Sequence, residues 1–290
     1  MSGGELDPPL HIVRSVVAGA LREDLGELGD LTAALIPASA AGVADFVVRA
    51  DGVLAGTTCA TETYRQLHDG VSIRWSAADG DRVGKGQAVG RIEGPLRPIL
   101  TGERTALNFL CHLSGVATLT RRFVDAVEGI GARRTRIWET RKTLPGLRAL
   151  EKAAVRAGGG VNHRGSLSDM VLVKDNHLGG TTIRVAVARA RDLWPGRGVE
   201  VECDRTAQVE EALAAGADLV LLDNMDPAQV AECVALVRSS ERPGTLVEVS
   251  GGVTLGTVAA YAEAGADLVS TGAITQSAPA LDIGLDLALE

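Results

Sequence analysis

From about residue 133 onward the chain alternates short apolar runs with helical segments of ordinary length, which restricts it to folds with a parallel sheet. The runs are TRIWET (135–140), MVLVKD (170–175), VEVEC (199–203), LVLLDN (219–224), TLVEVS (245–250) and LVSTG (268–272). They predict six strands and leave room for a seventh. The motif AGADLV occurs at 215–220 and again at 264–269. Each copy follows an amphipathic segment, and Gly216 or Gly265 stands where a helix C-terminal cap would fall. Polar or small residues close the runs: Glu139, Lys174, Glu202, Asp223, Ser250 and Gly272. An α/β barrel gathers strand C-termini into one mouth, which would bring these residues together. A doubly wound sheet satisfies the same alternation; the polar strand ends favour the barrel.

The first third is written differently. HIVRSVVAGALR (11–22) has helical apolar spacing, and a Gly/Asp-rich turn follows it through Asp30. VADFVVRADGVLAG (43–56), VSIRWSAADGDRV (71–83) and QAVGRIEG (87–94) read as strands, the last two separated by Gly-Asp turns suited to hairpins. A helix is expected over roughly 100–128. With 290 residues, 46% of them hydrophobic, the chain has ample material for a core. A net charge of -8 argues against a generic nucleic-acid binder. Met1 to Pro9 is polar and acidic, unlike a signal peptide, and no stretch approaches the roughly 18 apolar residues of a membrane helix. Cys59, Cys111, Cys203 and Cys233 show no C-x-x-C pairing and sit in apolar runs, as buried thiols of a reducing compartment do. A cytoplasmic protein that meets neither membrane nor nucleic acid is expected.

Charge is scarce but clustered. Of four lysines (Lys85, Lys142, Lys152, Lys174), three lie between 142 and 174. Arg141 and Lys142 follow the run TRIWET, Asn162, His163 and Arg164 follow the loop Gly158 to Gly160, and Lys174 ends MVLVKD. Converging on one mouth, these cations would suit a polyanion, because carboxylates and phosphates take Arg forks and Lys point charges. Lys152 is expected to face solvent on a helix. Glu202 and Asp223 end successive runs and could bind sugar hydroxyls, coordinate Mg²⁺, or act as acid and base. The small residues Ser250, Gly251, Gly252, Gly272 and Ala273, in the last two loops, would let backbone N–H groups approach a phosphate. ADGDRVGKGQAVGRIEG (78–94) looks like a lipoyl- or biotinyl-carrier hairpin, but Lys85 lacks the attachment context, and a sheet hairpin is the better reading. His112, in LNFLCHLSG, reads as a helix or interface histidine without a zinc-ligand grouping around it.

Longer motifs carry a resemblance. Glu23-Asp24 with Gly29-Asp30-Leu31-Thr32, ERTALNFL (103–110), LSGVATLT (113–120), TRKTLPGLRALEKAAVRAGGGVNHR (140–164), VLVKDNH (171–177), LLDN (221–224), SGG (250–252) and TGAITQSAPALDIGL (271–285) run nearly end to end. Together they resemble quinolinate phosphoribosyltransferase, also called nicotinate-nucleotide pyrophosphorylase (carboxylating). The chain departs from the family's commonest pattern at Glu139, Leu144, Gly165 and Gln276.

The resemblance implies an α/β chain: an N-terminal open-faced α/β sandwich (1–117 plus about 277–290) and an irregular, incomplete parallel α/β barrel (118–276). It implies a homodimer, with higher assembly open, in which Arg104 reaches the partner's site. Arg141, His163, Arg164 and Lys174 would surround the quinolinate carboxylates, with Lys142 near phosphoribosyl pyrophosphate. Glu202 and Asp223 would hold ribose hydroxyls, and Ser250, Gly251, Gly252, Gly272 and Ala273 the phosphate. Mg²⁺ would accompany the pyrophosphate, with no firm protein ligand. Expected products are nicotinate mononucleotide, CO₂ and pyrophosphate, a step of NAD biosynthesis. A phosphoribosyltransferase for another ring acid and a Schiff-base aldolase using Lys174 are the competing readings; the number of carboxylate-facing cations argues against a monoacid.

Overall fold

The computed structural model describes residues 7–131 and 135–288. The first six residues of the polar N-terminus lie outside them. The chain divides into two compact units: residues 1–121, 143–159 and 273–290 in one, residues 122–142 and 160–272 in the other.

The first unit is built on an antiparallel sheet in the order β12-β1-β5-β3, with β1 (Ala41–Val48), β3 (Ser72–Trp75), β5 (Ala88–Pro95) and β12 (Ile283–Ala288). Alternation along β1 explains its two faces. Ala44, Phe46 and Val48 point inward and join Val89, Ile92, Ile99, Leu107 and Leu110 in one core. The intervening Asp45 lies opposite Arg91 and pairs with it at 2.7 Å, which lowers the Asp45 pKa. Arg49–Asp286 and Arg74–Glu93 add ion pairs among exposed side chains of the sheet. Charge on one face and core on the other is an open-faced sandwich. Helices α1 (Leu10–Leu25), α2 (Thr57–Leu67), α3 (Leu96–Val127), α4 (Arg148–Ala157) and α10 (Ala273–Gln276) complete the elements, α3 running on into the second unit.

Two sequence expectations change here. The run 71–83 is not one strand. After β3, the chain forms β4 (Arg82–Val83), which leaves the sheet to pair with β2 (Gly52–Val53), so residues 78–94 are not a simple hairpin. Lys152 does not face solvent; only 6% of it is exposed. Leu150 through Val155 are all buried, because α4 is enclosed around its circumference rather than laid on a surface.

The second unit holds a parallel sheet in the order β6-β11-β10-β9-β8-β7. Its strands are β6 (Arg136–Trp138), β7 (Val171–Val173), β8 (Val199–Cys203), β9 (Leu219–Asp223), β10 (Leu246–Ser250) and β11 (Leu268–Ser270). β7 to β11 follow chain order, and the first strand returns beside the last. A doubly wound sheet would instead reverse direction about a central strand. Beyond β6 a single bridge joins Trp138 to Val161. Among the described residues no ladder joins Val161 to β7, so the barrel is incomplete at that seam. Helices α6 (Ile183–Leu193), α7 (Thr206–Ala215), α8 (Pro227–Ser239) and α9 (Val258–Glu263) connect the later strands.

The AGADLV repeat has a structural cause. Asp218 accepts the Val199 amide N–H at 2.8 Å and pairs with Arg191 of α6. Asp267 repeats this with the Val247 amide at 2.8 Å and Arg238 of α8. Each aspartate closes the open N-terminal end of a neighbouring strand and ties it to a helix. None of the described helices is long and apolar enough to cross a membrane.

Candidate active site

The C-terminal strand ends of the second unit surround a cavity of about 610 Å³, within the range of small-molecule sites. Thr140, Arg141, Lys142, His163, Arg164, Lys174, Glu202, Asp223, Asn224, Glu248, Ser250, Gly251, Gly252 and Ser270 line it. Sequence position alone had suggested this convergence, and the parallel sheet explains it: each strand delivers its last side chain to one end.

Beyond β6, Thr140 Oγ1 accepts the Lys142 amide N–H at 2.9 Å, shaping the turn that carries Arg141 and Lys142. Glu139 points elsewhere. Fully buried, it accepts the Asn162 side-chain amide at 2.9 Å and the His163 amide at 3.1 Å, fixing the irregular segment beside Val161. Burial, and then the like charge of Arg141, lower the Arg164 pKa. A guanidinium whose charge is disfavoured by a neighbouring cation is a place for an anion.

Lys174 leaves β7 and forms a close ion pair with Glu202 of β8. The Lys174 amine therefore stands beside a carboxylate, not in the apolar pocket that a Schiff-base lysine needs. Asp223 ends β9 and accepts from Asn224 Nδ2 at 2.8 Å. Ser250, Gly251 and Gly252 line the neighbouring loop. Gly272 has a different neighbour from the one expected: a Cβ there would lie 2.7 Å from Lys142 Cδ, so the lysine stem packs across the glycine. Ala273 opens α10 and belongs to the first unit, as does Arg104, exposed on α3.

Beneath the mouth lies a cluster that sequence reading missed. His163 Nε2 stands 3.3 Å from Glu200 and 3.5 Å from Glu248, both carboxylates fully buried. The ring tilts against Trp138 at 4.3 Å between centroids. While the ring is neutral its Nδ1 accepts the Arg164 amide N–H at 2.6 Å, which leaves the ring proton on Nε2, the nitrogen nearest the glutamates; a second proton displaces that bond. Burial opposes a second proton, but the two carboxylates outweigh it and raise the imidazole pKa to about 9. Burial, followed by the charge of Glu200, raises Glu248 to about 8. One potential ligand atom from each residue lies within 4.8 Å of the others, a spacing that could suit a metal. The Nε2 proton occupies the position from which the imidazole would coordinate one. Period-two alternation could have found the acids: Glu200 shares a strand face with Glu202, and Glu248 with Ser250.

Known proteins resemble this chain over nearly its whole length. Residues 116–286 match the family profile described as quinolinate phosphoribosyl transferase, C-terminal domain, and residues 30–114 the corresponding N-terminal domain. A nicotinate-nucleotide pyrophosphorylase [carboxylating] of Mycobacterium leprae is 42% identical, over 97% of this chain and 99% of that one. A probable nicotinate-nucleotide pyrophosphorylase [carboxylating] of Bacillus subtilis is 38% identical, over 92% of this chain and 90% of its own. The solved nicotinate-nucleotide pyrophosphorylase of Francisella tularensis superposes with a TM-score of 0.90 at 36% identity, covering 97% and 98% of the two chains. The chain belongs to the quinolinate phosphoribosyltransferase family.

Proposed function

We propose that the chain transfers the phosphoribosyl group of 5-phosphoribosyl 1-pyrophosphate to quinolinate, releasing CO₂ and pyrophosphate and giving nicotinate mononucleotide for NAD biosynthesis. The observation that carries this reading is the charge layout of one cavity: Arg141, Lys142, Arg164 and Lys174 beside the strand-end carboxylates Glu202 and Asp223. A dicarboxylate and a pyrophosphate need the first set, and a ribose needs the second.

The quinolinate nitrogen attacks C1 of the ribose as pyrophosphate departs, through an oxocarbenium-like state. Glu202 and Asp223 hold the ribose hydroxyls and stabilise that positive charge. Arg141, Arg164 and Lys174 receive the two ring carboxylates, with His163 beneath them taking the Arg164 amide, so Lys174 exchanges Glu202 for substrate while Glu202 turns to the sugar. Lys142, stretched across Gly272, balances charge on the leaving pyrophosphate. Ser250, Gly251 and Gly252 complete the phosphate-binding loop. Alkylation makes the ring nitrogen cationic, so the adjacent carboxylate leaves as CO₂ and the carbanion is held by N⁺.

The residues fit Mg²⁺ as a guest of the substrate. Asp223, whose Oδ2 accepts from Asn224, would hold the ion together with phosphate oxygens of the donor. When bound, the ion offsets negative charge on the leaving group. Arg104 would serve the partner's site in a homodimer, and free thiols, buried at Cys59, Cys203 and Cys233 and half-buried at Cys111, suit a cytoplasmic setting.

The test is to combine the protein with Mg²⁺, phosphoribosyl pyrophosphate and quinolinate and to follow nicotinate mononucleotide and CO₂. Nicotinate in place of quinolinate should give no product. Turnover of the monoacid without turnover of quinolinate would overturn the assignment.

A further inference from the structure

Asn224 stands apart from the expected site residues, yet it lines the cavity. It is the one non-glycine residue with positive φ among the described residues, at 55°. Asparagine tolerates that conformation because its short amide bonds locally. Three contacts surround it. Its backbone N–H donates to Ser250 O at 3.0 Å, extending the β9–β10 ladder by one residue. Its Nδ2 donates to Asp223 Oδ2 at 2.8 Å. Its Oδ1 sits where a side chain at 251 would begin: a Cβ on Gly251 would lie 2.3 Å from Oδ1 and 2.7 Å from Cγ.

We infer that Asn224 is a positioning residue: its amide, seated in the space that Gly251 leaves open, holds one oxygen of Asp223 so that the other faces the phosphoribosyl donor. The inference rests on the phosphoribosyl-transfer reading. It gives Gly251 a second duty beside admitting phosphate. A competing account makes Asn224 only the turn from β9 into α8, where Asp226 caps the helix through the Ala228 and Gln229 amides. Glycine would satisfy that turn as well or better. Asn224→Gly therefore separates the two accounts.

The full-length protein carrying Asn224→Gly should fold normally and bind quinolinate with little change. A lost hydrogen bond to a charged group should raise its KM for phosphoribosyl pyrophosphate roughly tenfold to a hundredfold. Calorimetry with magnesium pyrophosphate should show the same weakening without turnover. Asn224→Asp, which sets an acceptor against the Asp223 carboxylate, should be worse. Gly251→Ala should reproduce the donor-specific defect with the asparagine intact. An unchanged donor KM in Asn224→Gly overturns the inference, and so does an equal rise in both KM values accompanied by a lower Tm. A wild-type protein that neither turns over quinolinate nor binds magnesium pyrophosphate instead removes the functional reading, and this inference with it.

Discussion

The His163–Glu200–Glu248 cluster makes stability depend on pH in a direction opposite to the usual carboxylate case. His163 is raised from 6.5 to about 9 and Glu248 from 4.5 to about 8, so the folded chain holds protons that the unfolded chain has released. Stability slopes downward with pH wherever the native state binds more protons. The Glu248 contribution is fully present below pH 4.5 and fades through about 8; the imidazole contribution is fully present below 6.5 and fades through about 9. At roughly 1.4 kcal/mol per unit, the imidazole shift sets a ceiling of about 3.5 kcal/mol. For a chain of this size that is roughly 5–10 °C in Tm at most. Glu248→Gln keeps the volume of the side chain but removes one titrating carboxylate from the ring. Scanning calorimetry from pH 6.5 to 9 should therefore show a steeper decline in the wild type than in the variant. Parallel curves, with both proteins folded at pH 6.5, would refute the proton-holding account of this cluster.

Three further outcomes follow from particular contacts. Lys174→Ala should lose at least about a hundredfold in kcat/KM, the scale of a severed charge contact in a site, while Lys85→Ala in the first unit stays within about twofold. Equal rates for the two variants would refute the placement of the site. Gly272→Ala should raise the donor KM with little change in Tm, because the new Cβ displaces the Lys142 stem; an unchanged KM would show that the close packing is incidental. Lys152→Ala should destabilise the fold by about 1–3 kcal/mol in denaturant titration, as loss of a buried polar group does, whereas a solvent-facing lysine would leave the midpoint unmoved.

Much of this architecture was legible because parallel strands deliver their chemistry by position. Four of the six residues that close the apolar runs, Lys174, Glu202, Asp223 and Ser250, line one cavity as expected, while Glu139 turns to Asn162 and His163 and Gly272 packs against the Lys142 stem. Features that depend on packing partners were harder to read. Helix α2 escaped notice because Thr57 to Leu67 mixes Thr, Glu, Arg and Gln with the few residues it buries, such as Cys59 and Tyr64. The exit of β4 from its sheet turns on a two-residue pairing with β2, too short to leave a pattern. Lys152 misled because a charged side chain on a helix is ordinarily solvated, and only the enclosure of α4 reverses that. Glu200 and Glu248 carried a readable signal, but acids inside apolar runs are expected to be paired, and their partner His163 arrives from a loop.

The seam between Val161 and β7 bears on how such an enzyme could change its substrate. Among the described residues no strand ladder runs through 162–170; Glu139 holds one end, and Asp169 gathers the Gly165 and Ser166 amides at the other. A segment anchored at both ends by side chains can be lengthened or exchanged without resetting the register of any strand. His163 and Arg164, which line the cavity, ride on it. Cavity wall and scaffold are thus separable in this barrel: a library confined to residues 165–168 would vary the loop that follows His163 and Arg164 while leaving the six paired strands as they are.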